Sequence, residues 1–109
     1  MAHTPGLRSR DFQRVYAGGG RARSGGVKVT ALVEEGSPSR LGVGVSRHTG
    51  NAVVRNRIRR RIKAVWATID PPPGTQTVIG ASAACTSVPF QELADNVRTA
   101  LSRALGGVR

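Results

Sequence analysis

Acidic side chains are scarce in this chain and missing altogether from its centre: none occurs between Glu35 and Asp70. Across that span nothing in the local sequence neutralises Arg47, Arg55, Arg57, Arg59, Arg60, Arg61 and Lys63. An unneutralised basic field of this kind is the electrostatic footprint of nucleic-acid binding. The same scarcity tells against a carboxylate-based catalytic centre, because the six acids are scattered and the adjacent pair Glu34 and Glu35 falls on opposite faces of a strand. The expected set of catalytic residues is therefore empty. One cysteine, Cys85, excludes an internal disulfide and a cysteine-based zinc site, and it reads as a small buried apolar side chain in a reduced compartment. No run approaches the roughly 20 apolar residues of a membrane span, and the N-terminus lacks the apolar stretch of a signal peptide. A cytoplasmic protein without a membrane partner is expected. Aromatic residues are limited to Phe12, Tyr16, Trp66 and Phe90, so the core must be mostly aliphatic.

What is present is charge of one sign. Lysine and arginine outnumber acids by 17 to 6, giving a net charge of +11, and 15 of the 17 are arginine, whose planar fork grips phosphate through paired hydrogen bonds and stacks on bases. At 109 residues the chain makes one domain with a modest core. Its 39% hydrophobic content is too high for a disordered polycation yet low for a domain, which implies surface spent on binding.

Residues 1–8, with Pro5 and Gly6, read as a flexible arm ahead of a single domain over 9–109. Ser9 is placed to cap a helix from Arg10 to Ala17 whose Phe12, Val15 and Tyr16 share one face, and Gly18, Gly19 and Gly20 end it. Arg21 to Gly26 reads as a basic, glycine-rich link. Val27, Val29, Ala31 and Val33 alternate with Lys28, Thr30 and Leu32 as in a strand, and residues 36–40 form a turn. Leu41, Val43 and Val45 alternate with Gly42, Gly44 and Ser46, giving a strand almost bare on one side, open to a packed helix or a ligand backbone. After the basic loop Arg47 to Asn51, Val54, Ile58, Ile62, Val65, Trp66 and Ile69 form the apolar stripe of a helix over Ala52 to Ile69, with Arg57, Arg59, Arg60, Arg61 and Lys63 on the other arc and Arg55 at its edge. Pro71, Pro72 and Pro73 end it. Thr75 to Ala81 carries a weak strand pattern. Ser87 is placed to cap a last helix with Pro89 in its first turn and a stripe of Phe90, Leu93, Val97, Leu101 and Leu105, stopped by Gly106 and Gly107. The order is helix, two or three strands, helix, strand, helix.

A solvated helix face normally interleaves both signs of charge, whereas this one carries a single sign, whose mutual repulsion phosphates would relieve. A basic helix can also enter the major groove of DNA, but no zipper, zinc ligands or trihelical pattern is present to dock it. Glycine-bare strands with nearby aromatics suit RNA, where splayed bases stack on an open face. Phe12 and Tyr16 are read two ways, as core packing or as a stacking edge for an unpaired strand, with Tyr16 the more exposed because its hydroxyl wants a partner.

The segment Leu41 to Trp66, LGVGVSRHTGNAVVRNRIRRRIKAVW, closely resembles the signature of the protein subunit of bacterial ribonuclease P, and DFQRVY at 11–16 and FQEL at 90–93 resemble its first and last helices. The resemblance implies an α+β fold, a two-layer α/β sandwich ordered helix-strand-strand-strand-helix-strand-helix with a left-handed crossover, like domain 2 of ribosomal protein S5. It implies an accessory subunit of a ribonucleoprotein endoribonuclease, whose RNA subunit uses magnesium to remove the 5′ leader of precursor tRNA, with no cofactor held by the protein alone. Ribonuclease P RNA and precursor tRNA are the implied partners, and no DNA is expected. Carried over by position, Arg47, His48, Asn51, Arg55, Asn56, Arg57, Arg60 and Lys63 face the catalytic RNA, joined by Arg59 and Arg61 from the same cluster, while Phe12 and Tyr16 face the leader. His48 stands where lysine is usual, and Gln76 and Ser82 replace an acidic and a basic residue of the fourth strand. A ribosomal or general RNA-binding protein without processing activity is the alternative.

Overall fold

The computed structural model describes residues 6–106, and it consists of three helices on a four-stranded sheet. Helix α1 spans Ser9–Gly18 and leads into strands β1 (Gly20–Ser24), β2 (Val27–Val33) and β3 (Arg40–Val45). Helix α2 (Ala52–Trp66), strand β4 (Thr75–Ala81) and helix α3 (Phe90–Gly106) follow. The sheet order is β1-β2-β4-β3, antiparallel except for the β3–β4 pair, which is parallel and joined through α2.

The alternating pattern in β2 buries Val27, Val29 and Ala31 on the face that receives α2 and α3. Ile58, Ile62, Val65 and Trp66 from α2 and Leu93, Val97 and Leu101 from α3 close that core, and Ala94, Ala100 and Ala104 let α3 approach β1 and β2 closely. Truncating a fully buried member such as Ile62 would cost about 2–5 kcal/mol. The opposite face carries α1, because a Cβ on Gly42 would lie 2.5 Å from the Phe12 ring. Val15 and Val78 are buried beneath that helix side, as is Thr30.

Several local expectations shift. Arg21 to Gly26 is not a link: Gly20–Ser24 is a strand, turned back onto β2 by Gly25, whose φ of 59° suits glycine. Its alternation was hidden because the outward residues are Arg21 and Arg23 and the inward ones only Ala22 and Ser24, covered by α3. The first helix begins at Ser9 with Arg8 in the cap position and no side-chain cap from it. Gly6 and Leu7, expected in the arm, lie against the sheet, since Gly6 pairs with Leu41 and the Leu7 N–H donates to the Leu41 carbonyl at 3.0 Å; residues 1–5 of that expected arm lie outside the described residues. Helix α2 stops at Trp66, three residues early, and tighter turns carry Thr68 and Ile69 onto Val65 and Trp66. Ser87 closes a 3₁₀ turn, and the Pro89 carbonyl instead receives the Leu93 N–H at the start of α3. Val33, at 49%, and Phe90, at 44% exposed, are on the surface and outside the core stripes assigned to them. Gly106 is the last described residue, so the stop assigned to Gly107 lies outside the described residues.

Strand β4, the weakest strand in the sequence, is one of the two interior strands. Thr75, Gln76 and Thr77 are all fully buried, so polar residues interrupt what is physically an interior strand. Gln76 holds its place by donating from Nε2 to the carbonyls of Pro38, at 2.8 Å, and Gly74, at 3.1 Å. A carboxylate at this position would confront both oxygens with nothing to donate.

Candidate RNA-binding surfaces

Helix α2 is positioned by Asn51, whose Oδ1 accepts the Val54 N–H at 3.0 Å, and by the preceding 3₁₀ turn Arg47–Thr49, where the Ser46 hydroxyl accepts the His48 N–H at 3.2 Å. Gly50 fits closely there, because a Cβ would lie 3.0 Å from the Val54 side chain. With Ile58, Ile62, Val65 and Trp66 seated in the core, the spacing of the helix turns Asn56, Arg60 and Lys63 outward in one row, with Arg57 beside them. All four are exposed, and Val53, 66% exposed, lies among them. Among the described residues no cation of α2 has an acidic partner; the three ion pairs belong to Arg14 and Arg98.

The cluster is less uniform than its sequence. Arg61 turns back under the helix, and its guanidinium donates to the carbonyls of Cys85, at 2.7 Å, and Val88, so it ties α2 to the segment before α3. It therefore belongs to the fold, in contrast to its grouping with the RNA-facing residues. Arg59 is half-buried and donates to Asn56 Oδ1 at 3.3 Å, while Arg55 is half-buried at the flank. Asn51 spends its oxygen on the helix cap. Arg47 and His48 are exposed in the loop.

The second surface is the sheet face opposite α2 and α3. Register places Gly44, Gly80, Lys28 and Arg23 side by side across β3, β4, β2 and β1, and Gly42, Val78, Thr30 and Arg21 in the next row. A Cβ on Gly44 would meet nothing within 4 Å, and one on Gly80 would meet only Lys28 atoms at 3.9 Å or more. The result is a glycine floor with exposed Lys28 and Arg23 at its far end. Phe12 and Tyr16 form its wall: their rings meet edge to face at 6.3 Å, Phe12 half-buried on Gly42 and Tyr16 exposed at 36%. Phe12 thus packs on the sheet, and Tyr16 is the more exposed of the two, as its hydroxyl favours. Arg21 donates to the Tyr16 carbonyl at 2.7 Å and braces the end of α1. Lys28, Gly80 and Arg23 were not legible as site residues, because only the β4 register sets Gly80 against Gly44. That strand is interior, and of the two departures noted in it Gln76 is buried while Ser82 is exposed just past its end.

Cys85 is buried, with Sγ donating to the Gly26 carbonyl at 3.5 Å, and burial pushes its thiol pKa up against the smaller opposing effects of the Ser82 backbone and Arg61. Among the described residues no three His, Cys, Asp or Glu side chains gather as a metal-binding group, and no helix is long and apolar enough to cross a membrane.

Residues 7–105 match the family model described as Ribonuclease P. A ribonuclease P protein component from Kocuria rhizophila is 33% identical over 99 residues, covering 89% of this chain and 88% of the relative. One from Symbiobacterium thermophilum is 36% identical over 102 residues, covering 90% and 89%. Solved ribonuclease P proteins share the fold: that of Staphylococcus aureus has a TM-score of 0.77 at 22% identity, covering 93% of this chain and 94% of its own. That of Thermotoga maritima has a TM-score of 0.77 at 23% identity, covering 90% and 94%. The chain belongs to the bacterial ribonuclease P protein family, the protein component of the ribonucleoprotein endonuclease in which RNA carries the catalysis that processes the 5′ leader of tRNA.

Proposed function

We propose that the chain bridges two RNAs across its sheet. The outer row of α2, with Asn56, Arg57, Arg60 and Lys63, takes phosphates of ribonuclease P RNA, extended by Arg47 and His48 in the loop and flanked by Arg55 and Arg59. The glycine floor takes the single-stranded leader of precursor tRNA: bases stack against Tyr16 and the Phe12 edge, and Lys28 and Arg23 meet its phosphates. Ribonucleotide backbone can lie on Gly44 and Gly80 because no side chain stands there.

The observation that carries this reading is the separation of the two surfaces. The exposed cations of α2, Arg57, Arg60 and Lys63, point away from the core on one side of the sheet, and the bare floor with its aromatic wall lies on the other. Grip on the catalytic RNA and grip on the substrate are then independent, and holding both raises the local concentration of leader at the RNA. By neutralising phosphates the chain also lowers the magnesium that the RNA requires to fold and react. Magnesium thus belongs to the holoenzyme, and the protein contributes positioning and charge. The same reading places the chain in the cytoplasm with its tRNA precursors.

The test is reconstitution. Purified chain alone cleaves no precursor tRNA, while its addition to ribonuclease P RNA at low magnesium restores leader removal. An absence of stimulation there would overturn the assignment of function to these surfaces.

A further inference from the structure

A third basic feature adjoins the glycine floor at the start of β3. At the N-terminal end of α1 a pocket of about 460 Å³ is lined by Gly6, Arg8, Arg10, Asp11 and Arg40. Its lining holds three arginines and one carboxylate, and that carboxylate is engaged: Asp11 pairs with Arg14 at 3.6 Å, and Arg14 also reaches Glu34 at 3.4 Å. Among the described residues Arg8, Arg10 and Arg40 have no acidic partner within 4.0 Å. Three arginines around one concavity whose single carboxylate is already paired repel one another, and a bound anion would relieve that repulsion. The space exceeds what a lone phosphate group occupies and admits a nucleotide.

Its position relative to the floor gives it a direction. Arg40, Gly42 and Gly44 are alternate residues of β3 and share one face, spaced by about 6.6 Å per step. The Phe12 ring sits on Gly42, between the other two. A strand lying on Gly44 and passing Phe12 therefore arrives at Arg40 and the pocket.

We infer that Arg8, Arg10 and Arg40 form a phosphate-binding pocket for the part of a single-stranded RNA leader that extends beyond Phe12. This rests on the leader-binding assignment of the glycine floor. It makes the protein sensitive to leader length: a short leader uses the floor alone, and a longer one adds the pocket.

The experiment compares Arg8→Gln, Arg10→Gln and Arg40→Gln, singly and together, with the unsubstituted chain in the reconstituted holoenzyme. Affinity is measured for mature tRNA, for a precursor whose leader ends on the floor, and for one whose leader extends past Phe12, over a salt series. A weakening of about tenfold per strong interaction is expected for the long leader only, with a salt slope reduced by about 0.7 for each phosphate no longer gripped. Arg40→Lys should recover part of that affinity. Arg8 and Arg10 are exposed and make no described side-chain hydrogen bond, so their single variants keep the test open if Arg40→Gln unfolds, which thermal melting will show. Equal weakening for short and long leaders, or none, would overturn the pocket. If the unsubstituted chain fails to prefer either precursor over mature tRNA, the floor assignment itself falls, and the pocket with it.

Discussion

Arg60 and Arg61 are neighbours in sequence with opposite expected behaviour. Arg60 points outward from α2 with no described hydrogen bond, whereas Arg61 donates to the carbonyls of Cys85 and Val88. Arg60→Ala removes one phosphate-binding group, so the slope of log affinity for ribonuclease P RNA against log salt should shrink by about 0.7–0.9, with the melting temperature little changed. Arg61→Ala leaves two half-buried carbonyls without their charged donor. Hydrogen bonds to charged groups are worth about 1.5–3 kcal/mol each, and partial solvent access reduces the pair to roughly 2–3 kcal/mol in total. In a domain of this size that loss lowers the melting temperature by roughly 10 °C or more, with the salt slope intact. The assays are equilibrium binding over a salt series and thermal unfolding by circular dichroism. A flattened slope with unchanged stability for Arg61→Ala, or an unchanged slope for Arg60→Ala, would refute the division of the cluster into outer and inner arginines.

Gly44→Val should fold, because a Cβ there meets nothing within 4 Å, yet weaken binding of precursor with a leader against mature tRNA by about 1–3 kcal/mol, read from paired titrations. Gly42→Ala instead pushes into the Phe12 ring, 2.5 Å from the new Cβ, and should cost about 1–3 kcal/mol of stability in denaturant unfolding. Tyr16→Ala, at an exposed position, should lose leader preference by a similar 1–3 kcal/mol without loss of fold; equal losses for mature tRNA would remove Tyr16 from the cleft. Burial raises the Cys85 thiol pKa, so the folded state keeps the proton that the unfolded chain releases. Its contribution to stability is present below the ordinary value of 9.0 and is lost as pH rises past it toward the folded value. Cys85→Ala should flatten the alkaline decline of stability, and the thiol should react slowly with alkylating agents until the protein unfolds.

The long helix, the glycine-bare strand and the last helix were legible because each carries its own periodicity in consecutive residues. The outward side of the long helix, with Arg57, Arg60 and Lys63 exposed, followed from the same helical spacing that seats Ile58 and Ile62. What the chain's order concealed depends on contacts between distant segments. Strand β1 has no apolar alternation of its own and exists because β2 and α3 flank it. The polar run Thr75 to Thr77 sits in the sheet centre because neighbouring strands satisfy its backbone, and Gln76 finds its carbonyls 38 and 2 residues away. Arg61 looks like its neighbours until the segment before α3 is placed against it. Arg40, inside the acid-free span yet outside the helix cluster, acquires meaning only when α1 brings Arg8 and Arg10 to its side.

Because Cys85 is the sole cysteine and is buried, a Cys85→Ala background allows a single cleavage reagent to be tethered at a chosen surface site. Attached through Lys63→Cys on α2, it should cut ribonuclease P RNA and spare the leader; attached through Gly44→Cys on the sheet floor, it should cut the leader of bound precursor. The same cleavage pattern from both positions, or leader cleavage from α2, would contradict the claim that the two RNAs are held on opposite sides of the sheet.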